Sequence, residues 1–139
     1  DHISNIRKWY KMNKLIILSI LSTYLIFSQS SGNSIINIDG EYARRLYAGE
    51  RMDECRVACI DSAKNNLIDN YIFNRFSDHT FSDAERKLCI IELKPLLGEI
   101  NIITETDITR RRQGGGKYIK LNAEIDDNIF YQKVQQIIQ

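Results

Sequence analysis

The sequence predicts an α+β domain: a three-stranded, mostly antiparallel sheet with helices packed on one face, in the order β-α-α-β-β-α. Two alternating apolar–polar runs and one Ile/Thr-rich run carry strand character, near residues 36–47, 117–126 and 100–110. Stripes of apolar residues at three- and four-residue steps lie between and after them, the mark of helices with one buried side. Capping and turn residues fall where one pattern gives way to the next.

In the first run, Ile36, Ile38, Tyr42 and Leu46 alternate with Asn37, Asp39, Glu41, Arg45 and Tyr47. Gly40 is expected to be a bulge or bend, and Arg44 breaks the apolar face, so the end of this strand is expected to be an edge or to leave the sheet. After the turn Ala48-Gly49-Glu50, a helix is expected over 51–73. Its stripe is Met52, Cys55, Cys59, Ala63, Leu67 and Tyr71, widened by Ile60, Ile68 and Ile72. Its small members would let it lie close on a sheet. Arg56, Asp61, Lys64 and Asn65 are expected to face water.

Residues 74–81 are expected to form a loop. Ser82-Asp83-Ala84-Glu85 is a capping box that starts a second helix, with Cys89, Leu93, Leu96, Leu97 and Ile100 on its buried face. Pro95, the only proline, kinks or stops it, and Gly98 offers a C-terminal cap position. The strand over 100–110 follows. In the cleanest strand, over 117–126, Ile119, Leu121, Ala123 and Ile125 point inward while Tyr118, Lys120, Asn122 and Glu124 point outward. Asp126 or Asp127 caps a last helix whose apolar side is Phe130, Val134, Ile137 and Ile138.

Upstream, residues 12–30 have the build of a secretory signal peptide. Lys11 and Lys14 stand at the start of an apolar run from Leu15 to Phe27, followed by Ser28 and Ser30 two apart. A spanning helix needs roughly 20 apolar residues, and this run is shorter. Met12 reads as a natural start, so residues 1–11 are expected to be upstream sequence. The alternative is an uncleaved anchor that tethers the domain. Removal would leave a single domain over 31–139, found in the periplasm or at the outer-membrane periphery.

From Ser31 onward 15 Lys and Arg stand against 17 Asp and Glu, a balance of −2. That gives no basic footprint for nucleic acid. Three cysteines, Cys55, Cys59 and Cys89, lie in this part. Cys55 and Cys59 share a helix face, and bridging them would distort the helix. A link between Cys59 and Cys89 is the disulfide that packing of the two helices would allow, and the plainer reading is three small buried hydrophobes. A zinc site from Cys55, Cys59, Cys89 and His79 lacks the close paired spacing of structural zinc motifs.

Arg110-Arg111-Arg112-Gln113-Gly114-Gly115-Gly116-Lys117 resembles a phosphate loop only superficially. A phosphate loop is followed by Ser or Thr and a helix, whereas Tyr118 and a strand follow here. The segment is better read as a hairpin whose glycines accept positive φ in the turn. Arg110, Arg111, Arg112 and Lys117 then form an exposed basic tip, a candidate contact for a partner or an anionic surface. No H-E-x-x-H, G-x-S-x-G or C-x-x-C is present. The cysteines sit on predicted buried faces, where a nucleophile is unreachable. No cofactor and no enzymatic activity are expected.

The run IINIDGEYARRLYAGERMDECRVACIDSAKNNLIDNYI, from Ile35 to Ile72, resembles the N-terminal domain of the flagellar assembly protein T family and related small outer-membrane lipoproteins. So does the later part, from Phe81 through Gly98-Glu99-Ile100 to the strand Tyr118–Asp126. The resemblance implies a non-enzymatic interaction or assembly domain of the envelope with protein partners there. The alternative function is an exported thiol- or zinc-dependent protein that uses Cys55, Cys59, Cys89 and His79.

Overall fold

A computed structural model describes residues 4–5, 7–8, 34–110 and 114–139, with Arg110 described by its backbone alone. The chain divides into two units, Asp1–Ser34 and Ile35–Gln139. In the first, residues 4–5 and 7–8 are helical and exposed. The leader expected over 12–30 lies outside the described residues.

The second unit is an α+β fold in the order β-α-α-β-β-α, as the periodicities predict. Its elements are β1 (Ile35–Arg45), α1 (Met52–Arg75), α2 (Asp83–Leu93) with a 3-10 turn at Lys94–Leu96, β2 (Ile100–Arg110), β3 (Gly114–Asp126) and α3 (Asp127–Ile138). The sheet order is β1-β3-β2, and both pairings are antiparallel. Thus β1 and β2 are both edges.

The core is the α1 stripe Cys55, Cys59, Ala63, Leu67 and Tyr71 against Ile119, Leu121, Ala123 and Ile125 of β3, closed by Cys89, Leu93, Phe130 and Val134. The other sheet face is polar. There Tyr118 donates to Glu41 at 2.6 Å and Asn122 donates to Asp39 at 2.8 Å.

Gly40 is not a bulge. The β1–β3 register runs unbroken from Ile35↔Asp126 to Arg45↔Gly116. The glycine is needed because α1 crosses β1 there: a Cβ on Gly40 would lie 2.6 Å from the Cβ of Leu67. The bulge is at Ile103 in β2, between the pairs Ile102↔Leu121 and Thr104↔Lys120. It reverses the facing, so Ile100 and Ile102 share the helix side with Glu105 and Asp107.

Arg44 does not end the strand. It turns under the sheet edge and makes a two-point bond to Glu50, at 2.7 and 2.8 Å. That bond holds the Glu50 carboxyl below its ordinary range.

Helix α1 runs two residues past its expected end. The α2 cap is as expected, with Ser82 Oγ accepting from Glu85 N–H and Glu85 accepting from Ser82 N–H. Pro95 sits in the 3-10 turn that ends α2, and Leu96 is 39% exposed rather than buried. Gly98 is not the helix cap. Its N–H donates to the Glu124 carbonyl at 2.8 Å, and a Cβ would crowd that oxygen at 3.0 Å. Of the three glycines of the hairpin, Gly114 alone takes positive φ, and all three belong to β3. Asp126 caps α3.

Candidate functional site: the outer edge of β1

In an antiparallel ladder, alternate residues aim their backbone groups at the neighbour or away from it. Leu46 N–H donates to the Gly115 carbonyl, so the even residues of β1 face β3. The odd residues Ile35, Asn37, Asp39, Glu41, Ala43 and Arg45 therefore face the open edge.

Asparagines of α1 close part of that edge. Glu41 N–H donates to Asn66 Oδ1 at 2.9 Å, and Asn70 Nδ2 donates to the Asp39 carbonyl at 3.0 Å. Asn70 Nδ2 also lies 3.3 Å from Asn66 Oδ1, joining the two rungs. The spacing follows from geometry. Four helical residues rise about 6 Å and two strand residues about 6.7 Å, so an asparagine on each turn meets every second strand residue. At the far end Arg44 Nη1 donates to the Arg45 carbonyl at 3.0 Å.

The next rung would join Asn74 to Asn37. It is open: among the described residues the Asn74 side chain has no hydrogen-bond partner, and the residue is exposed. Here α1 and β1 part around a cleft of about 470 Å³, lined by Ile36, Asn37, Ile38, Asn70, Asn74 and Arg75 together with Tyr71 and Asp39. Its far wall is fixed to α3. Tyr71 Oη donates to Asp127 at 2.8 Å, Arg75 Nε donates to the same carboxylate at 3.2 Å, and the Arg75 guanidinium lies 4.5 Å over the Tyr131 ring. Burial, with the Asp127 bond, pushes the Tyr71 phenol far above its ordinary pKa. The cleft is thus mostly apolar with a few convergent polar groups, the usual make-up of a binding site.

The residues singled out from the sequence are placed elsewhere. Arg111 and Arg112 lie outside the described residues, and of Arg110 only the backbone is described. Lys117 is not part of an exposed tip. Its residue is 9% exposed, and it points to the helix side, where Nζ donates to Asp107 at 2.7 Å and lies 3.2 Å from Glu105. Alternation puts Lys117 in the inward row with Ile119, and the glycines at 114–116 extend β3 upstream, so Lys117 lies within the strand rather than at its tip. Arg56 of α1 also pairs with Glu105, so these charges satisfy one another.

Cys55, Cys59 and Cys89 are buried and unlinked. This is the plainer of the two readings of the cysteines; the alternative Cys59–Cys89 bridge does not form, because the helices meet in another register. Arg86 pairs with Asp69 at 2.7 Å and Lys94 with Asp61 at 2.5 Å, so α2 runs antiparallel to α1 with Cys89 level with Asn66. Seven helical residues, about 10 Å of rise, then separate Cys89 from the level of Cys59. The Cys59 thiol instead faces the sheet, 3.7 Å from the Lys117 carbonyl. His79 lies 3.3 Å from Glu85 and edge-on to Phe81. Among the described residues no group of three or more His, Cys, Asp or Glu side chains is gathered to hold a metal ion.

The asparagine row escaped the sequence reading, although Asn66, Asn70 and Asn74 stand at i, i+4 and i+8. That spacing on the flank of an apolar stripe was its visible signal.

No family model, curated protein or solved structure matches the chain. Among the described residues no helix is long and apolar enough to cross a membrane.

Proposed function

We propose that this chain is an exported, non-enzymatic interaction domain of the cell envelope that assembles with protein partners by adding a strand to the open part of β1. The observation that carries this reading is the contrast along one edge. Asp39 has its outward C=O closed by Asn70 and Glu41 its outward N–H closed by Asn66, while among the described residues neither the N–H nor the C=O that Asn37 turns outward, beside the cleft, has a partner. Exposed strand edges are ordinarily blocked, because an unpaired ladder is a template for another chain. A fold that covers some groups of an edge with side chains and opens a lined cleft beside others offers a defined place for pairing. Export is supported by the lysine-flanked apolar run and the serines after it, over 12–30. The pattern-level resemblance to envelope assembly domains points the same way.

The test uses the full chain in a bacterial host. Osmotic release, intact mass and native complex size are measured together for wild type and Asn37→Pro. Proline is tolerated where the strand N–H faces outward. The reading predicts a released domain that has lost residues 12–30 and migrates in a complex which Asn37→Pro dissolves. A cytosolic protein, or a complex indifferent to Asn37→Pro, would overturn it.

A further inference from the structure

Resting on that reading, we infer that the cleft takes an extended peptide carrying an acidic residue, and that the Asn74 side chain and the Asn37 backbone grip one peptide unit of it between them. Two closed rungs show what the third is shaped for. Asn70 closes its rung by donating to a main-chain carbonyl, and Asn66 closes its own by accepting from a main-chain N–H. Both sit in the i, i+4 row that continues to Asn74. At Asn74 the helix and strand have parted, and the gap between them is the cleft.

An added strand fills that gap with the groups the row already recognises. Its N–H and C=O pair with Asn37 on one side. On the other, an amide side chain, which carries both a donor and an acceptor, meets the next main-chain group. Ile36 and Ile38 line the cleft and give the strand's alternate side chains an aliphatic floor.

Charge sets the remaining preference. The Asp39 carboxylate is turned to the outer sheet face, where it accepts from Asn122 and lies 4.0 Å from Lys120. The Asp127 carboxylate is engaged by Tyr71 and Arg75. The Arg75 guanidinium uses only Nε for Asp127, and its terminal nitrogens have no hydrogen-bond partner among the described residues. The cleft therefore offers cationic N–H donors of Arg75 with no hydrogen-bond partner among the described residues, while the Asp39 and Asp127 carboxylates near it are each engaged by neighbouring groups, which favours a peptide carboxylate.

The test is fluorescence anisotropy of the full chain with acetylated, amidated octapeptides of alternating Val and Thr. Each carries one Asp at a scanned position and a terminal Lys for solubility. The expected result is binding that depends on the position of the Asp. It weakens about fivefold when Asp becomes Asn, and about tenfold or more in Asn74→Ala and in Asn37→Pro, a fold-change usual for a lost charge-assisted or buried hydrogen bond. Asn74→Ala removes an exposed side chain that makes no hydrogen bond or ion pair among the described residues, so its loss of binding does not report misfolding. Binding that is indifferent to Asn74→Ala overturns the grip. No binding by any peptide, while Asn37→Pro still dissolves the cellular complex, overturns the acidic peptide as occupant and leaves edge assembly standing. A cellular complex indifferent to Asn37→Pro is the failure of the broader reading.

Discussion

Gly40 and Leu67 meet where α1 crosses β1, and a Cβ on Gly40 would lie 2.6 Å from the Cβ of Leu67. This contact brings the helix low enough for Asn66 and Asn70 to reach the strand's backbone. Gly40→Ala is therefore expected to destabilise the domain by about 3 kcal/mol, at the upper end of overpacking costs. It should also raise amide exchange at Glu41, whose N–H Asn66 holds. Denaturant unfolding checks the first effect and NMR exchange the second. A stable variant with Glu41 still protected would show that the close approach is not what seats the asparagines.

Asn65 is the opposite case, a polar group the fold leaves unserved. Its Oδ1 is buried without a hydrogen-bond partner among the described residues. Asp61 and Asp69, one turn to either side, pair with Lys94 of the 3-10 turn and Arg86 of α2, and Ile90 occupies the matching position between those two. Replacing an unpaired buried amide by an apolar side chain of similar size removes its desolvation cost. Asn65→Leu is expected to stabilise the domain by about 1 kcal/mol in denaturant unfolding. A loss of stability would mean that the amide has a hydrogen-bond partner after all.

Much of this was legible beforehand. Alternation placed β1 and β3, the stripe from Cys55 to Tyr71 placed the α1 face, and Ser82 with Glu85 marked the start of α2. What stayed illegible depends on neighbours distant in the chain. A glycine inside a strand signals either a bulge or a close approach, and only the crossing helix decides for Gly40. Alternation with Ile119 already turns Lys117 inward, but that Glu105 and Asp107 stand there to meet its charge depends on the bulge in β2. Asn65 reads as a solvated residue until α2 covers it. For the candidate site, Asn66 and Asn70 act through backbone atoms of β1, and backbone partners leave no trace in side-chain patterns.

The three thiols are expected to be inert in the native protein. All are fully buried, and burial raises the pKa of Cys59 and pushes Cys89 up to about 11. Reagent must then wait for the domain to open, so labelling should follow unfolding and speed up with denaturant as stability falls. Rapid labelling of one or more thiols in the folded domain would reopen a thiol-based role.

Stability should fall at both ends of the pH range. Glu50, Glu85 and Glu105 have folded pKa values below ordinary, through the Arg44 guanidinium, the Ser82 backbone N–H and the Arg56 guanidinium respectively. A lowered carboxyl adds stability above the unfolded value, about 4.3, that is lost as pH drops through the folded one. Glu50→Gln should lower stability at neutral pH and flatten the acid limb. Cys89 has a raised folded value, so the unfolded chain loses its thiol proton first and stability declines from about pH 9 toward pH 11. Cys89→Ala should flatten that alkaline limb. Urea midpoints across pH check both, and unchanged slopes in the two variants would contradict these assignments.

The most direct measurement is residue-resolved amide exchange along β1, without and with the acidic octapeptide. In the free domain, Ile36 and Ile38 should be slow because they face β3. Glu41 should be slow because Asn66 holds it, and Asn37 should exchange fast. Added peptide should slow Asn37 and leave Glu41 unchanged. If Asn37 is already as protected as Ile38 in the free domain, the edge is closed and the account of its function fails.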